Sequence, residues 1–148
     1  MKKFTLVLSI VMILCLCGCN ASVFKGKPTF LTKDLPRELS CSRSFSDKTV
    51  YSVNIEDAQF SYSDEGLHRS KLTITVYGTV TYVESSYLNY SGLNQFAYKI
   101  CDSEGYIVEK GVFSLDEYAV GDRFKEEFDC YFEAEPGETY TIEFIEKN

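Results

Sequence analysis

The chain has 148 residues, a formal charge of −7 and an apolar fraction of 45%, with aromatic residues making up 15% of all positions. This length corresponds to one domain, and the apolar content suffices to bury a core, which excludes a chain disordered over most of its length. The acidic charge excludes nucleic acid as a favoured partner, because phosphate binding needs clustered Lys and Arg.

The amino terminus has the pattern of a secretion signal. Lys2 and Lys3 form a short basic region, and residues 4–16 form an apolar run interrupted only by Thr5 and Ser9. Such a run fits the apolar region of a signal peptide. It is too short to span a bilayer, which takes about 20 apolar residues. We therefore expect export without a transmembrane helix.

The segment Leu16-Cys17-Gly18-Cys19 directly follows this run and resembles the bacterial lipobox. The resemblance implies that residues 1–18 are a lipoprotein signal peptide and that Cys19 is acylated and becomes the new amino terminus. Each buried methylene of an acyl chain contributes about 0.8 kcal/mol, so two chains hold a protein firmly. The expected location is the extracytoplasmic face of the cell membrane, with the membrane bound through the N-terminal lipid.

Removal of residues 1–18 leaves 130 residues, with 13 basic and 22 acidic side chains and a formal charge of −9. Residues 19–46 contain Pro28 and Pro36 and lack a sustained period of 2 or 3.6, so the sequence predicts a tether there. Alternation begins near Thr49. We accordingly place the folded domain at residues 47–148.

The clearest alternation runs from Leu72 to Tyr82, where apolar residues alternate with Thr and Tyr. A period of two with β-branched residues predicts a strand with one buried face. Further candidate strands are residues 51–62, 95–101, 106–113, 124–132 and 140–145. No segment predicts an amphipathic helix. The expected fold is all-β, an antiparallel immunoglobulin-like β-sandwich of six to seven strands, with a small barrel as the alternative.

Local signals add detail to this prediction. In the first candidate strand the apolar phase changes near Glu56 or Asp57, which predicts a β-bulge. Residues 102–105 (DSEG) suit a type I turn ending in a left-handed glycine, as in a hairpin. Residues 135–138 (EPGE) suit a type II turn.

Residues 98–102 (YKICD), followed by Gly105 and by residues 120–122 (VGD), resemble the FxLYD family. Asp102 matches the family signature, two further positions carry conservative replacements, and Cys101 stands where an aromatic residue is usual. The family consists of small β-sandwich modules of secreted and lipid-anchored bacterial proteins. The resemblance implies a β-sandwich and no catalytic residue.

Three cysteines, Cys41, Cys101 and Cys130, fall outside the amino-terminal segment. Strand alternation places Cys101 on the outward face of its strand and Cys130 on the inward face of its own. Their β-carbons are then too far apart for a disulfide, which predicts that both are free thiols. Whether Cys41 pairs between chains is left open. The single histidine, His68, and the absence of a Cys-x-x-Cys spacing leave too few ligands for zinc, so we expect no metal and no cofactor.

The sequence also predicts no enzyme. His68 has no Gly-x-Ser-x-Gly partner motif, and Glu126 and Glu127 are strand neighbours that point to opposite faces. Residues 102–104 carry oxygen ligands that would suit calcium, but turn formation explains the same residues without a metal.

The connection at residues 85–93 is turn-rich and contains Tyr87 and Tyr90. Tyrosines on a loop of a rigid sandwich are suited to contact a ligand, although they also cap core ends. We expect a binding or accessory module of the cell envelope, with an envelope protein or a glycan as partner and Tyr87 and Tyr90 in contact. The alternative function is a proteinase inhibitor of β-sandwich type.

Overall fold

A computed structural model describes residues 26–42, 49–64, 70–84, 94–116 and 118–147. The described part is all-β and contains eight strands. They are β1 (Thr29–Thr32), β2 (Arg37–Ser42), β3 (Thr49–Asp64), β4 (Ser70–Val83), β5 (Gln95–Cys101), β6 (Ile107–Ser114), β7 (Arg123–Phe132) and β8 (Thr139–Ile145). No helix in these ranges is long and apolar enough to span a membrane.

The strands form two four-stranded sheets that pack face to face. Sheet A has the order β1-β8-β5-β6, and sheet B has the order β2-β3-β4-β7. All pairs are antiparallel except β1 with β8, which is parallel. The prediction of an all-β fold with two packed sheets is thus confirmed, and the prediction that every strand is antiparallel is wrong for β1.

Strands β3 to β8 coincide with the six segments that alternation indicates. On β4, Leu72, Ile74 and Val76 are fully buried while the Thr residues between them lie outward. The predicted bulge is confirmed, because the β3–β4 register shifts between Ile55 and Asp57. Alternation fails at Tyr82, which is exposed rather than buried.

Within the segment predicted as a tether, residues 19–46, the strands β1 and β2 are paired into the sheets. Phe30 of β1 stacks on Tyr140 at 5.6 Å between ring centroids. Leu39 and Cys41 of β2 are buried in the core. Strands of four and six residues contain too few alternations to be distinguished from coil. Both are edge strands that pair with a single neighbour, so their sequences need only a short apolar pattern.

Both predicted turns are present. Gly105 has φ 89° and its N–H donates to the Asp102 carbonyl at 3.1 Å, which closes the β5–β6 hairpin. Gly137 has φ 79° in the turn that leads from β7 in sheet B to β8 in sheet A. Positive φ is the left-handed conformation that glycine adopts without a steric penalty, so local chemistry alone determines both turns.

Candidate functional site

Strand β6 is an edge of sheet A that keeps large apolar side chains in solvent. Among the described residues it pairs with β5 alone. Ile107, Val108 and Val112 are 57%, 40% and 50% exposed, and Tyr106 just before the strand is exposed as well. We call Ile107–Ser114 the β6 edge. Natural proteins usually protect such an edge with charges, Pro or a covering segment, so apolar side chains on it point to a contact surface.

The hydrogen-bond register identifies which backbone groups of the β6 edge are unpaired. Leu115 N–H donates to the Asn94 carbonyl at 3.0 Å, so these two residues form a hydrogen-bonded pair. Hydrogen-bonded and non-hydrogen-bonded pairs alternate along an antiparallel ladder. With Val112 opposite Ala97 and Lys110 opposite Lys99, both β6 residues turn their N–H and C=O groups away from β5. The Lys110 N–H donates to Glu109 Oε1 at 3.0 Å instead, and the alternation ends at the register shift opposite Ile100 and Cys101, so the outward N–H and C=O groups of Val112 are the open part of this edge.

The core holds the β6 edge rigidly from below. Phe113 points inward and stacks on Phe128 of β7 at 4.9 Å with 5° between the ring planes. Tyr98 also packs against Phe128, at 5.1 Å, and its ring lies directly under Gly111. Burial raises the pKa of Tyr98 above its ordinary value. Because the core already holds the strand in place, little conformational entropy of the strand is lost when a ligand binds to it.

A charged row crosses the outer face of sheet A in the middle of the β6 edge. Lys99 and Arg37 both reach Glu143, at 3.0 and 3.1 Å. The hydrogen bond from Lys99, together with that from Arg37, lowers the pKa of Glu143. Lys110, directly opposite Lys99 in the register, has no ion pair among the described residues. Val112, two residues further along β6, lies on the same strand face as Lys110, whereas Val108 is the extra residue at the register shift opposite Ile100 and Cys101.

The hairpin tip beside the β6 edge is fixed by its own carboxylate. Asp102 Oδ1 accepts the N–H of Glu104 at 3.0 Å and the N–H of Tyr106 at 2.8 Å. The carboxylate oxygen that could ligate calcium therefore completes the turn. In the part of the chain that the structure describes, no group of three or more His, Cys, Asp or Glu is arranged to hold a metal ion.

The outer face of sheet B differs from the β6 edge because its polar groups satisfy one another. Thr73 donates to Asp129 and Thr79 to Glu56, both at 2.7 Å. The carboxylate of Asp129 also pairs with Lys71 at 2.9 Å, and these partners lower its pKa. Hydroxyls already occupied in this way offer little to a ligand.

The three cysteines of the described region are unpaired, which confirms the prediction of free thiols for Cys101 and Cys130. Cys130 is buried and Cys101 lies partly exposed on the outer side of sheet A. Burial raises the pKa of Cys130 to about 11, an effect that its hydrogen bond with Tyr98 offsets only in part. Burial likewise raises the pKa of Cys41 to about 11. A thiol protonated this firmly is a poor nucleophile.

The residues singled out from the sequence as sites, Cys19, Tyr87 and Tyr90, lie outside the described residues, as does His68. The β6 edge was not singled out, because alternation identifies a strand without saying which neighbour it lacks. Its available signal was the adjacent apolar pair Ile107 and Val108 at the start of the strand, since a strand with one buried face needs an apolar residue only at every second position.

The chain matches no protein-family model, no curated protein and no solved structure.

Proposed function

We propose that this protein is a lipid-anchored, non-catalytic binding or accessory module on the extracytoplasmic face of the cell membrane, and that it contacts its partner through the β6 edge. The observation that carries the proposal is the exposure of Val108 and Val112 on one rigid edge strand, where Val112 also turns its backbone N–H and C=O groups away from β5. Exposed aliphatic side chains suit contact with another apolar protein surface, so an envelope protein fits this edge better than a glycan.

The anchor in this proposal is the acyl-modified Cys19, for which the lipobox-like residues 16–19 are the support. Replacing Cys19 with Ala should abolish labelling by a radioactive or clickable fatty acid and release the chain from the membrane fraction. Cys17→Ala is the matched control and should keep both. Labelling and retention that persist without Cys19 would refute the anchor.

The immunoglobulin-like and FxLYD-like assignments remain predictions of architecture. Two antiparallel-rich sheets of four strands support the first of them. In an antibody constant domain the last two strands are neighbours in one sheet, whereas here β7 and β8 belong to different sheets. The proposed likeness therefore concerns a small β-sandwich in the envelope and carries over no strand order and no ligand.

The contact surface is testable by capture of partners from intact envelopes with the full lipidated chain. Val112→Asp places a charge on the β6 edge and should sharply reduce capture. Val120→Asp is the matched control, because Val120 is 58% exposed but lies outside that strand. Equal capture by the two variants, each with an unchanged melting temperature, would refute the β6 edge as the contact surface.

Proteinase inhibition is the second candidate, favoured by one observation. The hairpin tip at residues 102–106 is exposed and rigid, with Asp102 accepting two backbone N–H groups and the Ser103 N–H reaching Glu138 at 3.2 Å. It ranks second because a tight turn exposes little of the extended chain that fills a protease cleft by strand addition. If the protein inhibits envelope proteases at nanomolar concentration, and a variant with the hairpin tip replaced does not, proteinase inhibition becomes the first candidate function.

A further inference from the structure

We infer that β7, the last strand of sheet B, pairs antiparallel with β7 of a second copy of the chain. Among the described residues β7 pairs with β4 alone, so its other side is an open edge of the sheet. The inference goes beyond the proposed function and does not depend on the β6 edge. It rests on the direction of the β7 backbone groups and on the order of charges along the strand.

The hydrogen bonds where β7 begins determine which of its residues face the open side. The Val80 N–H donates to the Asp122 carbonyl at 2.9 Å, so Val80 turns its backbone groups toward β7. The β4–β7 register then continues without a shift, and bonding and non-bonding pairs alternate along it. Every second residue of β7 therefore directs its N–H and C=O groups away from β4. In the described part of the chain, no other group accepts the N–H hydrogen bonds of these residues, Arg123, Lys125, Glu127, Asp129 and Tyr131.

The charges on this strand are ordered so that it complements itself. The side chains with outward backbone groups are all exposed on the outer face of sheet B. Along the strand, the bases Arg123 and Lys125 come first and the acids Glu127 and Asp129 follow. In an antiparallel pair with a two-fold axis at position 126, Lys125 lies opposite Glu127 of the second copy. Arg123 likewise lies opposite Asp129, and symmetry repeats both pairs. Opposite charges directly across a sheet stabilise it.

The backbone and the charges select the same register. Both members of each charge pair direct their N–H and C=O groups toward the second copy, so they exchange two hydrogen bonds. Sliding one strand by two residues would set Lys125 opposite Lys125 in one direction and Glu127 opposite Glu127 in the other. Like charges directly opposite are unfavourable. One register is therefore favoured over its neighbours.

The basic half of the strand has little compensation within its own sheet. The Arg123 side chain is 82% exposed and reaches Glu56 only at 3.8 Å. Lys125 lies over an aromatic ring of β4 and pairs with no carboxylate in the described ranges. Asp129 is held in place by Lys71 at 2.9 Å, with its side chain still 36% exposed. An arginine from a second copy would thus meet a carboxylate that is already positioned.

Glu126 is the residue that this arrangement opposes to itself. It lies at the two-fold axis on the inner side of β7, and its carboxylate accepts the Tyr118 hydroxyl at 2.8 Å. An inward charge on an edge strand can also serve to prevent edge pairing, and that role predicts a natural protein that does not pair at all. Four opposite-charge pairs against one like-charge pair favour pairing. Glu126→Gln should therefore strengthen the pairing.

Two anchored copies can adopt this arrangement in one membrane. A two-fold axis along the membrane normal keeps both copies at the same height. The ten residue steps from the proposed anchor at Cys19 to Thr29 can span up to about 33 Å, which lets both chains reach the membrane with the joined sheet parallel to it.

Disulfide trapping in cells tests the register, using the full lipidated chain with Cys101→Ser to remove the partly exposed thiol. The α-carbons of a non-hydrogen-bonded pair are about 4.5 Å apart, a distance that a disulfide spans. Glu126→Cys should therefore give a disulfide-linked dimer on a non-reducing gel. Lys125→Cys is the matched control, because the two copies of position 125 are about 9 Å apart in this register. No dimer from Glu126→Cys, or equal amounts from both variants, would overturn the inference.

Charge exchange tests the pairing without added cysteines, by co-purification of two differently tagged lipidated chains in mild detergent. Lys125→Glu in both copies should lower co-purification about tenfold, because symmetry applies the change twice. Glu127→Lys in both copies should do the same. Lys125→Glu in one copy with Glu127→Lys in the other restores opposite charges at every pair and should recover co-purification. Lys33→Glu is the control, since Lys33 lies between β1 and β2, away from β7, and should change nothing.

Unchanged melting temperatures of the single variants separate these effects from misfolding. The inference is refuted if natural copies do not co-purify, if the mixed pair stays apart, or if Lys125→Glu copies co-purify as well as natural ones. Partner capture by the β6 edge is measured separately with Val112→Asp, so its success or failure leaves this result standing.

Discussion

The ring of Tyr98 lies so close beneath Gly111 that a β-carbon added at position 111 would be 2.5 Å from the tyrosine hydroxyl oxygen. Real β-carbons do not approach another heavy atom this closely. Glycine at this position is therefore what allows the β6 edge to rest on the aromatic core. The hydroxyl that Gly111 accommodates also hydrogen-bonds with Cys130, so the tyrosine is held from below as well.

Gly111→Ala should consequently destabilise the fold by about 1 to 3 kcal/mol, the usual cost of forcing atoms into a well-packed region. Urea denaturation followed by tyrosine fluorescence measures the loss. Gly26→Ala is the control, since no atom lies within 4 Å of a β-carbon there. A Gly111→Ala variant as stable as the control would show that Tyr98 moves aside freely.

Asp102 should contribute to the stability of the hairpin through its two side-chain hydrogen bonds to backbone N–H groups. Asp102→Ala leaves the N–H groups of Glu104 and Tyr106 without that acceptor. Because the turn is exposed and water replaces part of the loss, we expect a cost of about 1 kcal/mol. Asp102→Asn keeps one acceptor oxygen and should cost less. Thermal denaturation compares the two, and an equal loss would contradict the acceptor role.

The Glu143 ion pairs should make stability depend on acid pH. The pKa of Glu143 is lowered in the folded state, so its contribution is fully present above the unfolded pKa of about 4.3 and is lost as pH falls through the lower folded value. The stability difference between the natural protein and Glu143→Gln should therefore shrink from pH 6 toward pH 3.

Urea denaturation at several pH values measures that difference. Lys99→Met removes the principal cause of the shift and should reproduce the change in pH dependence. A difference that stays constant across this range would contradict the ion-pair assignment.

The cysteines should react with an alkylating agent in the order of their exposure, the most exposed thiol first. Cys101 is partly exposed, whereas Cys41 and Cys130 are buried with pKa values raised to about 11. Iodoacetamide at neutral pH should modify Cys101 first and the two buried thiols only after unfolding. Peptide mass spectrometry without reduction reports both labelling and linkage. A Cys101 to Cys130 disulfide would contradict the face assignments of β5 and β7.

Local pattern was enough to predict the strands that bury a full row of side chains. On β4 every second residue from Leu72 to Val80 is buried, and the phase change at Glu56 corresponds to a real register shift. Both turns follow from glycines with positive φ. These features depend on residues close in sequence, which is why composition and period reveal them.

The contact surface could not be predicted in the same way, because an edge is defined by the strands that are missing beside it. The neighbours of β6 follow from long-range pairing, such as β5 with β8 and β4 with β7. Tyr82 illustrates the same limit: alternation indicates a buried ring, but a register shift between Ser52 and Val53 precedes it and the ring is exposed. The contact prediction for Tyr87 and Tyr90 stays a prediction, since both lie outside the described residues.

The most direct measurement of the central claim is photocrosslinking in living cells with a photoreactive amino acid in place of Val112 of the full lipidated chain. Position 120 is the matched control, because Val120 is at least as exposed as Val112 and lies outside the β6 edge. A binding module that uses this edge should give a discrete adduct in the membrane fraction from position 112 and none from position 120. Adducts from position 120 alone, or no adduct from position 112, would contradict it.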